Sequence, residues 1–143
     1  GTEIGVTRFC FFRAEHSERP PKPHDKWRRQ AIEACKQCGR RWLPTFEVAD
    51  GLENAIGAAE GVCLAATMDL PPIPWPQVRA DHDYTVFVGP EGDFTAAEIE
   101  QLRAAGAQPC SLGQTTFRSE MAALLAATLI RHRQGMLGAI GNA

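Results

Sequence analysis

The 143-residue sequence contains no apolar run approaching the roughly 18 residues that a membrane-spanning helix needs. Its opening residues, Gly-Thr-Glu-Ile-Gly-Val, lack the basic segment and long apolar stretch of a secretory leader. Those two absences lead to an expected cytoplasmic location. No G-x-G-x-x-G fingerprint occurs, and no Gly-Lys-Ser or Gly-Lys-Thr, which argues against the usual dinucleotide and P-loop sites. The four histidines share no spacing, and no His/Cys/Asp cluster offers a metal triad, so no metal is expected. Ser111 and Ser119 have no nucleophile-elbow context.

Net charge is also scarce. At −2, the chain is not one that holds nucleic acid by bulk charge. Lys22, Lys26, Arg28, Arg29, Lys36, Arg40 and Arg41 nevertheless lie close together in sequence. They form either a local basic face or a solvated helix face. The five cysteines, at 10, 35, 38, 63 and 110, are odd in number and scattered, which does not suggest a disulfide framework. Cys35 and Cys38 have metal-knuckle spacing, but no second pair follows. Buried thiols are the preferred reading.

The 143 residues suit one domain with a real core. Thr2 to Gly5 reads as the last turn of a helix closed by glycine. Arg8 to Phe12 reads as a strand, and His16 to Asp25 as a loop. From Lys26 to Cys38, Trp27, Ala31, Ala34, Cys35 and Cys38 recur at helical spacing. A short strand is expected around Phe46 and Val48, a helix over Leu52 to Ala59, and a buried strand over Gly61 to Ala66. Asp69 to Pro76, with four prolines, is a loop. Tyr84 to Val88 is a strand, and Thr95-Ala-Ala-Glu98 a capping box that opens a helix. Gln108 to Leu112 is the last strand. Ser119 to Arg133 is the last helix, apolar around much of its circumference. Strands alternating with helices imply an α/β fold with a parallel sheet and helices on both faces.

Ligands of such sheets bind beyond the carboxyl ends of the strands. Three loops qualify: Ala66-Thr67-Met68, Gly89-Pro90-Glu91-Gly92, and Leu112-Gly113 onward to Arg118. Gly89 and Gly92 would let backbone approach a ligand. From the residues alone, the Gly89–Gly92 loop could cradle a phosphate, bind an adenosine, or simply turn a strand into a helix.

Here the residues reach a family. VGPEGDFTAAEIE, followed by SLGQTTFRSEMAA, resembles the carboxyl half of the RsmE family, ribosomal RNA uridine-N3 methyltransferases of the SPOUT class. TEIGV resembles that family's T-E-L-G-V. Ser17-Glu18-Arg19 resembles its basic-loop motif, and RRQAIEACKQCGRRWLP its E-A-x-x-Q-x-x-R helix with a following proline. The resemblance implies a SPOUT-type α/β fold whose carboxyl end is tied in a trefoil knot. S-adenosylmethionine is then the cofactor, bent against backbone from three loops. It further implies a homodimer with the site at its interface, and N3 of a uridine in small-subunit (16S) ribosomal RNA as the target. Residues 1–143 are then a SPOUT methyltransferase domain. The PUA-like barrel and first strand that begin family members are expected to be absent.

Residue by residue, Gly89, Pro90, Glu91 and Gly92 match the family's G-P-E-G, and Leu112 and Gly113 its L-G. Arg118, Glu120 and Ala122 match the R, E and last A of its L-R-T-E-T-A segment. Phe117 stands for leucine there, and Ser119 and Met121 for threonines. Ser119 keeps a hydroxyl that can cap the helix. The resemblance implies cofactor contacts from Ala66, Thr67, Val88, the Gly89–Gly92 loop, Leu112, Gly113, Phe117 and Arg118. Arg118 and Arg19 are expected to favour a uracil anion, with Glu120 to orient an arginine or act as base. Arg29, Glu33, Gln37 and Arg40, with Arg19, are expected to meet RNA or, for the helical set, to form a hydrogen-bonded ladder. Trp27, Trp42 and Trp75 stack on bases or pack internally. Two other classes stay open: another SPOUT RNA methyltransferase, acting on transfer RNA or a different base, and a non-catalytic dimeric RNA-binding remnant.

Overall fold

The computed structural model describes residues 1–68, 75 and 77–137. The expected loop Asp69–Pro76 therefore lies, Trp75 apart, outside the described residues. In chain order the elements are β1 (Arg8–Phe12), α1 (Asp25–Cys38), β2 (Thr45–Ala49), α2 (Gly51–Gly57), β3 (Val62–Ala66), β4 (Tyr84–Val88), α3 (Ala96–Ala104), β5 (Gln108–Cys110) and α4 (Ser119–Arg133).

Every strand pair is parallel, as the alternation of elements predicts. The hydrogen bonding falls in two pieces, not the single sheet expected: β1 with β2, and β4-β3-β5 with β3 central. β3 alternates its side chains between two cores, as pleat geometry requires. Ala65 enters a cluster with Leu52, Ala55, Phe87, Phe94, Leu102 and Ala107. Leu64 and Ala66 enter another with Cys110 and Ile130. The first core is covered by α2 and α3, and the second by α4, so helices do lie on both faces. Phe12 of β1 packs on the first core and stands edge-on to Phe87, at a ring separation of 6.5 Å. That contact joins the two-stranded piece to the larger one.

The local signals behave as expected at several ends. Thr95 accepts from Glu98 N while the Glu98 carboxylate accepts from Thr95 N, which is a complete capping box. Val6 N donates to Gly1 O and Gly5 N to Thr2 O, with Gly5 at φ 95°. That pair of bonds is a Schellman closure. Arg40 Nη1 donates to the carbonyls of Thr2 and Val6, and Arg131 Nε to that of Ile4, so two cations meet this carbonyl-rich end.

Three expectations change. The last strand stops at Cys110, two residues early. Ser119 is the first residue inside α4, behind Arg118 at the cap, and its hydroxyl does not cap the helix. Of the cysteines, Cys35 and Cys110 are buried, Cys10 and Cys63 partly so, and Cys38 is exposed. Among the described residues no cluster could hold a metal, and no helix is long and apolar enough to cross a membrane.

Candidate active site

The three loops expected to carry chemistry emerge side by side because their strands end level. Ala66 is in register with both Val88 and Cys110. Immediately beyond, Thr67 N donates to Cys110 O at 3.1 Å. After β4 the chain turns over Pro90–Asp93, closed by Asp93 N donating to Pro90 O at 2.8 Å. It then drops Phe94, 2% exposed, into the first core as an anchor.

Gly89 is needed by the turn itself. A Cβ there would lie 3.0 Å from Phe94 N and 3.1 Å from an Asp93 carboxylate oxygen. A Cβ on Gly92 would meet the His16 side chain at 3.1–3.3 Å. Both glycines thus first admit the protein's own atoms.

Side chains then tie neighbouring segments to this turn. Ser119 Oγ donates to Gly89 O at 2.7 Å, fixing the head of α4. The His16 Nδ1 donates to the carbonyls of Gly92 and Asp93, at 3.0 and 3.1 Å. Those two carbonyls, Gly92 first, favour the imidazolium and raise its pKa above the ordinary histidine value. Buried Glu98 accepts from Glu15 N at 2.8 Å with its second oxygen. A short turn, Ser17 N to Ala14 O and Ala14 N to Ser17 Oγ, then carries the chain to Arg19. The basic loop is therefore held at two points, one on the glycine turn and one on α3.

Two cavities result. The larger, about 310 Å³, is bounded by Phe12, Ala14, Ser17–Arg19, Val88–Glu91 and Ser119. The smaller, about 50 Å³, adjoins it and shares Val88–Glu91 and Ser119 as lining. Ala66, Thr67, Leu112, Gly113 and Phe117 line it with that shared wall. Every residue expected to touch a cofactor is there except Gly92 and Arg118. Met68, Asp93, Thr115, Thr116 and Ala122 complete the lining.

The fit to an adenosine-bearing cofactor is chemical before it is volumetric. Val88, Leu112, Phe117 and Ala122 give apolar contact, and the strand ends present backbone polar groups. The space, which loop 113–118 borders, is well below the few hundred Å³ that such a ligand needs. That loop is mostly exposed, and a side chain at Gly113 would meet nothing within 4 Å.

Of the residues expected to act on substrate, Arg19 lines the larger cavity. Arg118 and Glu120 are exposed at the head of α4 and line neither cavity. Arg29, Glu33 and Gln37 are exposed on α1, with Glu33 paired to Lys36 at 2.9 Å. Arg40 lies beyond the end of that helix, on the amino-terminal turn already described. Trp27 stacks on Phe11 at 4.2 Å, and Trp75 Nε1 donates to Ser111 O at 2.7 Å. Trp42 is 75% exposed. Three ties that build the site, His16, Asp93 and Glu98, carried no signal as site residues beyond the capping pattern of Glu98.

A family model described as an RNA methyltransferase domain matches residues 1–131. Among curated proteins, the chain is similar to the ribosomal RNA small subunit methyltransferase E of Synechocystis sp.: 28% identical over 134 residues, 87% of this chain and 44% of that protein. The protein of the same name from Rickettsia conorii is 30% identical over 131 residues, with shares of 88% and 51%. Among solved structures, a Legionella pneumophila methyltransferase in complex with SAM matches at TM-score 0.78 and 25% identity, over 92% of this chain and 57% of that one. A ribosomal RNA small subunit methyltransferase E from Neisseria gonorrhoeae, bound to S-adenosyl methionine, matches at TM-score 0.67 and 27% identity, with shares of 92% and 56%. The chain spans about half the length of the curated relatives it matches.

Proposed function

The chain belongs to the RNA methyltransferase domain family, and from that premise we propose that it is the catalytic domain of an S-adenosylmethionine-dependent methyltransferase acting in the cytoplasm on N3 of a uridine in small-subunit ribosomal RNA. The resemblance to the RsmE family agrees with the names of its relatives. One observation carries the reading furthest. The cavity lined by the expected cofactor residues shares Val88–Glu91 and Ser119 with the cavity that Arg19 lines.

When bound, S-adenosylmethionine supplies a methyl group already activated on a sulfonium. The chain's own residues then have two tasks. The first is alignment: the backbone around Gly89 and Leu112–Gly113 fixes the donor, and the larger cavity fixes the base. The second is the proton on N3. N3 gives its proton to water, a guanidinium beside the base stabilises the resulting uracil anion, and we assign that to Arg19. Arg118 and Glu120 flank Ser119, which lines both cavities. We further propose the trefoil knot of the SPOUT class at the carboxyl end. We also propose a homodimer across α4, whose Met121 and Leu124 are 50% and 41% exposed.

Calorimetric titration with S-adenosylmethionine tests the cofactor. Methylation of ribosomal RNA that lacks the modification, with the base mapped by mass spectrometry, tests the substrate. A product other than 3-methyluridine overturns the assignment, and absence of cofactor binding favours the non-catalytic remnant.

A further inference from the structure

Asp93 is the one non-glycine residue with positive φ among those described, at 60°. That region is disfavoured for side chains, although aspartate and asparagine tolerate it best. Outliers of this kind persist only where their surroundings over-determine them. Here the surroundings are specific. One carboxylate oxygen accepts from Phe94 N at 2.7 Å. The other accepts from Met68 N at 2.9 Å and from Thr67 Oγ1 at 3.2 Å. Thr67 is buried, and its own amide is bonded to the end of β5. The missing side chain of Gly89 leaves room for this carboxylate. A single anion therefore holds the loop after β3 to the loop after β4, and both loops wall the smaller cavity.

We infer that Asp93 is a positioning residue that sets the separation of these two walls and so prepares the cofactor pocket. The inference rests on the proposed reading of that pocket as the S-adenosylmethionine site. The disfavoured backbone angle is retained because no other residue at 93 combines the turn with a carboxylate aimed at Thr67 and Met68. Glycine would relieve the angle and lose the tie. Asparagine would tolerate the angle and keep one acceptor, but would set an amide group against Phe94 N–H.

The variants Asp93→Gly and Asp93→Asn separate these effects. Calorimetry on the 143-residue chain should show S-adenosylmethionine binding about tenfold weaker in Asp93→Gly, the loss expected for one charge-assisted hydrogen bond. Asp93→Asn should fall between that variant and the parent. Amide exchange at Met68, followed by NMR without ligand, should accelerate in Asp93→Gly while amides of β3 stay protected. Asp93→Gly binding within twofold of the parent overturns the inference, as does unchanged exchange at Met68. If the parent itself does not bind, the cofactor reading fails on its own, and the tie stands or falls on the Met68 amide.

Discussion

Truncating Glu98 to alanine tests whether the basic loop is built into the site or merely rests beside it. The side chain is 8% exposed, and both of its oxygens are used: one by Thr95 N at 2.9 Å, the other by Glu15 N at 2.8 Å. Hydrogen bonds to a charged partner contribute about 1.5–3 kcal/mol each, and less where water replaces the lost acceptor. Glu15 is exposed, so its amide regains water and counts at the lower end. Thr95 is partly buried and loses half of its capping box. The expected total is about 3 kcal/mol, or a melting point about 6–12 °C lower for a chain near this size. Glu98→Gln keeps the volume and one acceptor and should lose about half as much. Urea unfolding at unchanged m-value gives the free energy. A glutamate-specific protease, cleaving after Glu15 and Glu18, reports the loop directly, and should cut Glu98→Ala faster. A loss under about 0.5 kcal/mol, within the range of ordinary surface changes, with unchanged cleavage, would refute the two-point attachment.

Arg19→Ala should lower kcat about a hundredfold, the scale of removing one transition-state donor, while the S-adenosylmethionine Kd changes little; equal losses in both would place Arg19 in the cofactor pocket instead. Gly89→Ala should cost about 1–3 kcal/mol, because its new methyl meets backbone. Gly92→Ala should cost less in the same melts, since it meets a histidine side chain; the reverse order would contradict the close approach at Gly89. Burial pushes the Cys110 thiol up to about 11. A thiol reagent at pH 8 should therefore label exposed Cys38 first and Cys110 only on unfolding. The folded chain holds the Cys110 proton more tightly, so that residue's contribution to stability falls as pH rises from the ordinary thiol range toward 11.

What the sequence made legible was local. Tyr84–Val88 and Ser119–Arg133 form as read, and the Thr95 capping box is complete, because each signal spans a few neighbouring residues. The Gly89–Gly92 loop was recognisable through its partner segment around Leu112. The ties were not legible. His16 reaches Gly92 across 76 positions, Glu98 reaches Glu15 across 83, and Asp93 reaches Thr67 across 26. No spacing rule connects such pairs before the strands are placed. Ser119 misled for a related reason. A hydroxyl at a helix start suggests a cap, yet the nearby carbonyl of Gly89 offered it a partner outside the helix. The expected single sheet failed between the β1-β2 pair and the other three strands, since alternation of elements predicts direction but not which strands share hydrogen bonds.

Val88–Glu91 and Ser119 border both cavities. Ligands in the two cavities would therefore meet the same stretch of chain. If a filled small chamber tightens the grip on RNA by some factor, RNA must tighten the grip on the small ligand by that same factor.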